Sequence, residues 1–295
     1  MTTQQPAPET APPGDPEGST AETSEDAARL GSYVDVWWLA VGEALDLVEQ
    51  VPDDAWSRPT ELPGWTVHDV LAHLAHLEAV AVGAEHTPVD VGDAPHVRND
   101  MGRFCEEGVV ARRDSPPRTL VHELRAAATT RRTALAATPP TDPTAPAPGA
   151  FGAIGWDTET FLGNRPLDVW MHALDIRRAV GLPGEVEGPA ASYVATKLVR
   201  SLPFVVGKRA QAPVGATVVL DVAGLTAVAV EVGEDGRARE VDVAAVASPT
   251  VRLSCDLETY VLAAGGRGAL DPAAFGVEGD RDLADRVLAG LAVTP

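Results

Sequence analysis

Cysteine is nearly absent: Cys105 and Cys255 are the only two, far apart and without a C-x-x-C spacing. That argues against a disulfide scaffold or a zinc-finger cradle, and the pair reads as free thiols of a reducing compartment. Positive charge is scarce as well, with 23 Lys and Arg against 43 Asp and Glu and a net charge of −20. This is the wrong sign for nucleic acid or an anionic membrane surface, and it reads as a solubility feature. No apolar run approaches the ~20 residues of a membrane span. The N-terminus lacks the basic and apolar regions of a signal peptide, so the expectation is a cytoplasmic protein. Aromatic residues make up only 5% of the chain; Trp65 and Trp170 have two readings, walls of a site or core packing, and core packing is the favoured one. A glycine-rich phosphate loop, a nucleophile elbow and an internal repeat are all missing. What remains is a chain of 295 residues, 45% hydrophobic, long enough for two domains and a sizeable core.

Residues 1–24 are rich in Pro, Thr, Glu and Ser, hold almost nothing large and apolar, and are expected to be disordered. From Glu25 to Gln50 the apolar residues Leu30, Val34, Trp37, Val41, Leu45 and Val48 recur at helical steps. Thr66 followed by Asp69 is a capping-box variant that starts a second helix with Val67, Val70, Leu71, Leu74 and Leu77 on one face. His73 lies at the edge of that face, whereas His76 and His68 fall progressively farther out. A third helical region runs from about 98 to 137, interrupted near Ser115-Pro116-Pro117, with His122 on its surface. Residues 138–152 read as a loop, and a fourth helix spans about 158–180 and stops at Gly181-Leu-Pro-Gly184. Beyond it, 189–206 reads as one helix, 216–222, 227–232, 239–244 and 250–255 as strands, and 256–264 and 281–291 as helices. The expected architecture is therefore a four-helix bundle over 25–184 followed by a small α/β or α+β domain over 185–295.

Chemistry concentrates in Arg165-Pro-Leu-Asp-Val-Trp-Met-His-Ala-Leu-Asp-Ile-Arg177. Asp168, His172 and Asp175 stand four and three residues apart, which stacks them on one side of a helix, inside its apolar stripe. Buried carboxylates and imidazoles are costly unless paired or bound to a metal. One reading is a satisfied His–Asp pair that ties helices together. The other adds His73 from the second helix to give a His₂–carboxylate set with open positions, the arrangement of catalytic zinc.

Two segments carry a resemblance. Leu62-Pro-Gly-Trp-Thr-Val-His-Asp-Val-Leu-Ala-His73-Leu and Arg165-Pro-Leu-Asp168-Val-Trp-Met-His172-Ala-Leu-Asp175 resemble the mycothiol-dependent maleylpyruvate isomerase family, within the wider DinB-like four-helix group. The remainder, around Ser254–Gly268 and Val277–Asp280, is similar to that family's sterol-carrier-like C-terminal domain. The resemblance implies a divalent metal, typically zinc, held by His73, His172 and the residue at 168, where this chain has Asp and the family Glu. It implies a supporting role for Asp175 and places Arg267 near substrate as a catalytic residue. It also implies mycothiol as thiol cosubstrate, a small-molecule substrate, and a monomer or small homo-oligomer.

A metal beside the thiol would favour the thiolate, the nucleophilic form. In an isomerase the thiolate adds to a conjugated double bond, permits rotation, and leaves. An S-transferase would keep the carbon–sulfur bond. A non-catalytic binding protein that lost the chemistry stays open, and the Glu-to-Asp departure is the feature that favours it.

Overall fold

The computed structural model describes residues 16–182, 184 and 186–294. Four long helices form the first domain: α1 (Pro16–Val48), α2 (Val67–Ala81), α4 (Pro117–Ala137) and α6 (Thr158–Val180). They pack in a ring, α1 against α6 and α4, and α2 against the same two. The shorter α3 (Asp100–Val110) lies on α2, and α5 (Gly149–Ala153) is a single turn ahead of α6. The boundaries follow from local chemistry. Thr66 and Asp69 form the reciprocal capping box of α2, and Asp157 caps α6. Gly181 closes α6 in the left-handed conformation, at φ 69°, that glycine adopts without strain.

Helix α7 (Gly188–Val199) leads into the second domain, followed by the short turn α8 (Leu202–Phe204) and a π-helical turn, Val205–Arg209. A mixed sheet follows: β1 (Thr217–Val222), β2 (Val228–Val232), β3 (Ala238–Val241), β4 (Val251–Cys255) and β5 (Gly276–Gly279), in the order β3-β2-β1-β4-β5. Only β1 and β4 run parallel. Helices α9 (Leu257–Ala264) and α10 (Arg281–Ala289) complete the domain, and α7 links the halves by packing on α6, α1 and α9.

Four expectations change. Residues 16–24, assigned to a disordered tail, are the first turns of α1, while residues 1–15 lie outside the described residues. A sparse apolar content does not prevent this: once Leu30 and Trp37 anchor the helix, each added residue gains a hydrogen bond without a new nucleus, and Pro16 is tolerated in the first turn. The helix expected over 189–206 breaks after Val199, because Pro203 lacks an N–H and its ring clashes with the carbonyl four residues back. Strand β5, Gly-Val-Glu-Gly, has no alternating pattern and exists as an edge partner of β4. His76 does not face outward. Every residue of α2 except His68 is buried, because α3 covers the side that the helical wheel left to solvent. Gly108 of α3 makes that cover possible, since a Cβ there would sit 2.0 Å from the His76 ring.

Candidate metal centre

His73 from α2 and Asp168 with His172 from α6 converge, and one ligand atom from each lies within 4.8 Å of the others. His73 Nε2 is 3.3 Å and His172 Nε2 is 3.7 Å from Asp168 Oδ1, and the two imidazoles meet edge-to-face at 4.6 Å. The histidines are nearly enclosed, whereas the Asp168 side chain keeps 25% exposure and marks the open side. Burial by itself would raise the Asp168 pKa, but Arg165 and His73 outweigh it and hold the carboxyl well below its usual range. Burial would likewise lower His73, and Asp168, with a smaller contribution from Cys105, reverses the sign.

Asp175 sits behind His172. Its Oδ2 is 3.0 Å from His172 Nδ1, and an ionised carboxylate only accepts, so Nδ1 donates to it and Nε2 is the nitrogen that faces Asp168 and His73. Arg267, from the loop after α9, grips Asp175 with Nε to Oδ1 at 2.9 Å and Nη2 to Oδ2 at 3.0 Å, and also donates to Thr294 and the Gly265 carbonyl. Arg267 is only 8% exposed. The resemblance places it near substrate, and in the fold it adjoins the centre through Asp175 and His172.

Trp65, for which the sequence favours core packing over a wall of the site, lies against both imidazoles, with ring centroids 5.0 Å from His73 and 6.0 Å from His172. Its Nε1 donates to Glu106 at 2.7 Å, and Arg113 and His96 pair with the same buried carboxylate. Trp170 faces elsewhere, into the core. No spacing marked Glu106, because its partners are remote in sequence. A cavity of about 650 Å³ lies beyond α3, walled by Phe104, Phe151 and Ile154 and by the His86–Glu107 pair. None of the three converging side chains lines it, so this cavity is separate from the converging residues.

The donor set suits a divalent ion. Two imidazole nitrogens and one carboxylate oxygen, with an opening on one side, match an ion of zinc type that keeps positions for exchangeable ligands. The Asp175–His172 contact is the outer support that such ligands need to hold tautomer and orientation. His73 has no carboxylate in that role: its Nδ1 is buried without a well-formed hydrogen bond among the described residues, and the Cys105 thiol is the further polar group acting on the ring.

Comparison with known proteins adds the following. Residues 37–177 match the mycothiol maleylpyruvate isomerase N-terminal domain, and residues 189–286 match the MDMPI C-terminal domain. The crystal structure of the mycothiol-dependent maleylpyruvate isomerase is similar, with a TM-score of 0.53 and 17% identity over 84% of this chain and 92% of that one. A histidine-to-alanine mutant of that enzyme gives a TM-score of 0.52 and 16% identity over the same shares. At such identity the structural likeness speaks for the fold alone. No curated protein matches the sequence.

Proposed function

The chain belongs to the mycothiol maleylpyruvate isomerase family along both of its domains, and on that premise we propose that it is a metal-dependent, mycothiol-using isomerase. The observation that carries this reading is the convergence of His73, Asp168 and His172 within 4.8 Å. These three residues would hold the ion. When bound, a zinc-like ion would supply Lewis acidity that lowers the pKa of a thiol, so that the cosubstrate reacts as thiolate.

The chain's own residues set up that chemistry. Asp175 accepts a hydrogen bond from His172 Nδ1 and thereby directs Nε2 toward the centre; against the cost of burial, His172 first and then Arg267 keep Asp175 ionised, and the Arg267 fork orients it. Trp65 covers both imidazoles on one side and keeps water from them. Asp168 stays ionised at the open edge, where thiol and substrate would enter. The thiolate adds to the double bond of a conjugated acid. The electron pair moves onto the neighbouring carbonyl, the former double bond rotates, and expulsion of the thiolate restores the alkene in the other geometry. No atom is gained or lost, so cosubstrate and protein return unchanged.

The test is metal analysis of purified protein, followed by incubation with mycothiol and maleylpyruvate. Expected are one equivalent of divalent metal and a sulfur-free isomerised product whose formation stops after chelation. A folded, metal-free protein that takes up no added zinc would overturn the reading. A thioether product would move the assignment to an S-transferase.

A further inference from the structure

The Asp168 carboxylate faces two ways. Oδ1 lies toward His73 and His172, while Oδ2 accepts from Arg165 Nη1 at 3.0 Å. Arg165 is 2% exposed and is itself fixed, because Nε and Nη2 both donate to Glu78 Oε1, at 3.1 and 2.7 Å. Glu78 is fully buried and takes two further donors, Trp37 Nε1 at 2.9 Å and Arg131 Nη1 at 3.1 Å. Arg131 is clamped between the rings of Trp37 and Phe161, 4.4 and 4.5 Å from their centroids. A guanidinium is a rigid planar fork, so engaging two of its nitrogens sets the direction of the third.

The geometry points to Arg165 as a positioning residue for the candidate metal carboxylate: it reserves Oδ2 and confines Asp168 to ligation through Oδ1 alone. This inference rests on the metal reading above. Two consequences follow for the site. A carboxylate held through one oxygen leaves a coordination position that a chelating one would fill. The two carboxylates, Asp168 and Glu78, are also already balanced by two guanidiniums, Arg165 and Arg131. A divalent ion entering this neutral cluster therefore brings positive charge that no side chain of the cluster offsets, which favours anionic ligands such as a thiolate or a substrate carboxylate.

The experiment loads the whole protein with Co²⁺ and compares wild type with Arg165→Lys by X-ray absorption, visible spectroscopy and competition against a chelator. In wild type the carboxylate carbon should lie at the longer metal distance of one-oxygen ligation. Arg165→Lys keeps the charge but loses the fork. It should shift the Co²⁺ spectrum toward a higher coordination number and weaken metal binding about 10–100-fold. Chelation by both Asp168 oxygens in wild type would overturn the inference while leaving the metal reading intact. A variant with the wild-type spectrum and affinity would do the same. Wild-type protein that takes up no Co²⁺ would sink both. If Arg165→Lys does not fold, the wild-type absorption measurement decides alone.

Discussion

Asp168 is the residue on which the catalytic and the purely structural readings part. Its side chain is partly open, and its removal leaves Arg165 still paired with Glu78. Asp168→Ala is therefore expected to release metal at a modest stability cost, about 1–3 kcal/mol for the group left unpaired. Asp168→Glu restores the residue of the family pattern and should retain metal. Metal content and melting temperature measured side by side check both variants. Full metal content in Asp168→Ala would remove Asp168 from the ligand set. The converging residues were legible in the sequence because three of the four, with Asp175, lie within two turns of one helix, where spacing fixes direction. For Trp65 the sequence left a wall of the site and core packing both open, and Glu106 was not legible. Their contact joins positions 41 residues apart, and no periodicity reports that.

Helix α2 brings His73 to the site from inside the fold, with every residue but His68 buried by its neighbours, and Glu78 shows how. Each of the four bundle helices contributes to one buried cluster: Trp37 from α1, Glu78 from α2, Arg131 from α4 and Arg165 from α6. Burial alone would raise the Glu78 pKa, but Arg165 and then Arg131 overcome it, and the folded value lies below normal. A depressed carboxylate contributes stability that is present above its unfolded pKa of ~4.3 and lost as pH falls through the folded value. Glu78→Gln should thus cost roughly 3–5 kcal/mol near pH 7, the range for breaking a buried pair. The gap to wild type should shrink as pH falls below about 4, as urea titrations of both proteins at several pH values would reveal. A gap independent of pH would assign the loss to packing. The helices themselves were readable from apolar recurrence, but this cluster was not, because a lone glutamate on a predicted helix reads as a surface group until its partners on three other helices are known.

The two domains meet at the candidate centre, and the pairs that join them differ in kind. Arg178 of α6 reaches Glu258 of α9 at 3.7 Å across a half-exposed seam, where an ion pair contributes about 0–1 kcal/mol. Arg267 instead buries its fork on Asp175, which in turn holds His172. The second domain therefore supports His172, a candidate ligand that belongs to the first. The sequence placed Arg267 near the chemistry only through family resemblance, since the partner lies 92 positions away and only the folded chain joins them. Arg267→Met would leave the buried Asp175 carboxylate without its cation, at a cost of about 3–5 kcal/mol. It would also free Asp175 to turn from His172, which should weaken metal binding about 10–100-fold. Glu258→Ala, by contrast, should change stability by no more than about 1 kcal/mol and leave metal affinity untouched. Comparing the two variants by chelator competition and thermal melting separates the roles. If Arg267→Met lowered the melting temperature but bound zinc as tightly as wild type, Arg267 would be an interdomain clasp with no hold on the metal ligand. If Glu258→Ala weakened zinc binding equally, the effect would belong to domain docking in general and not to the Arg267–Asp175–His172 relay.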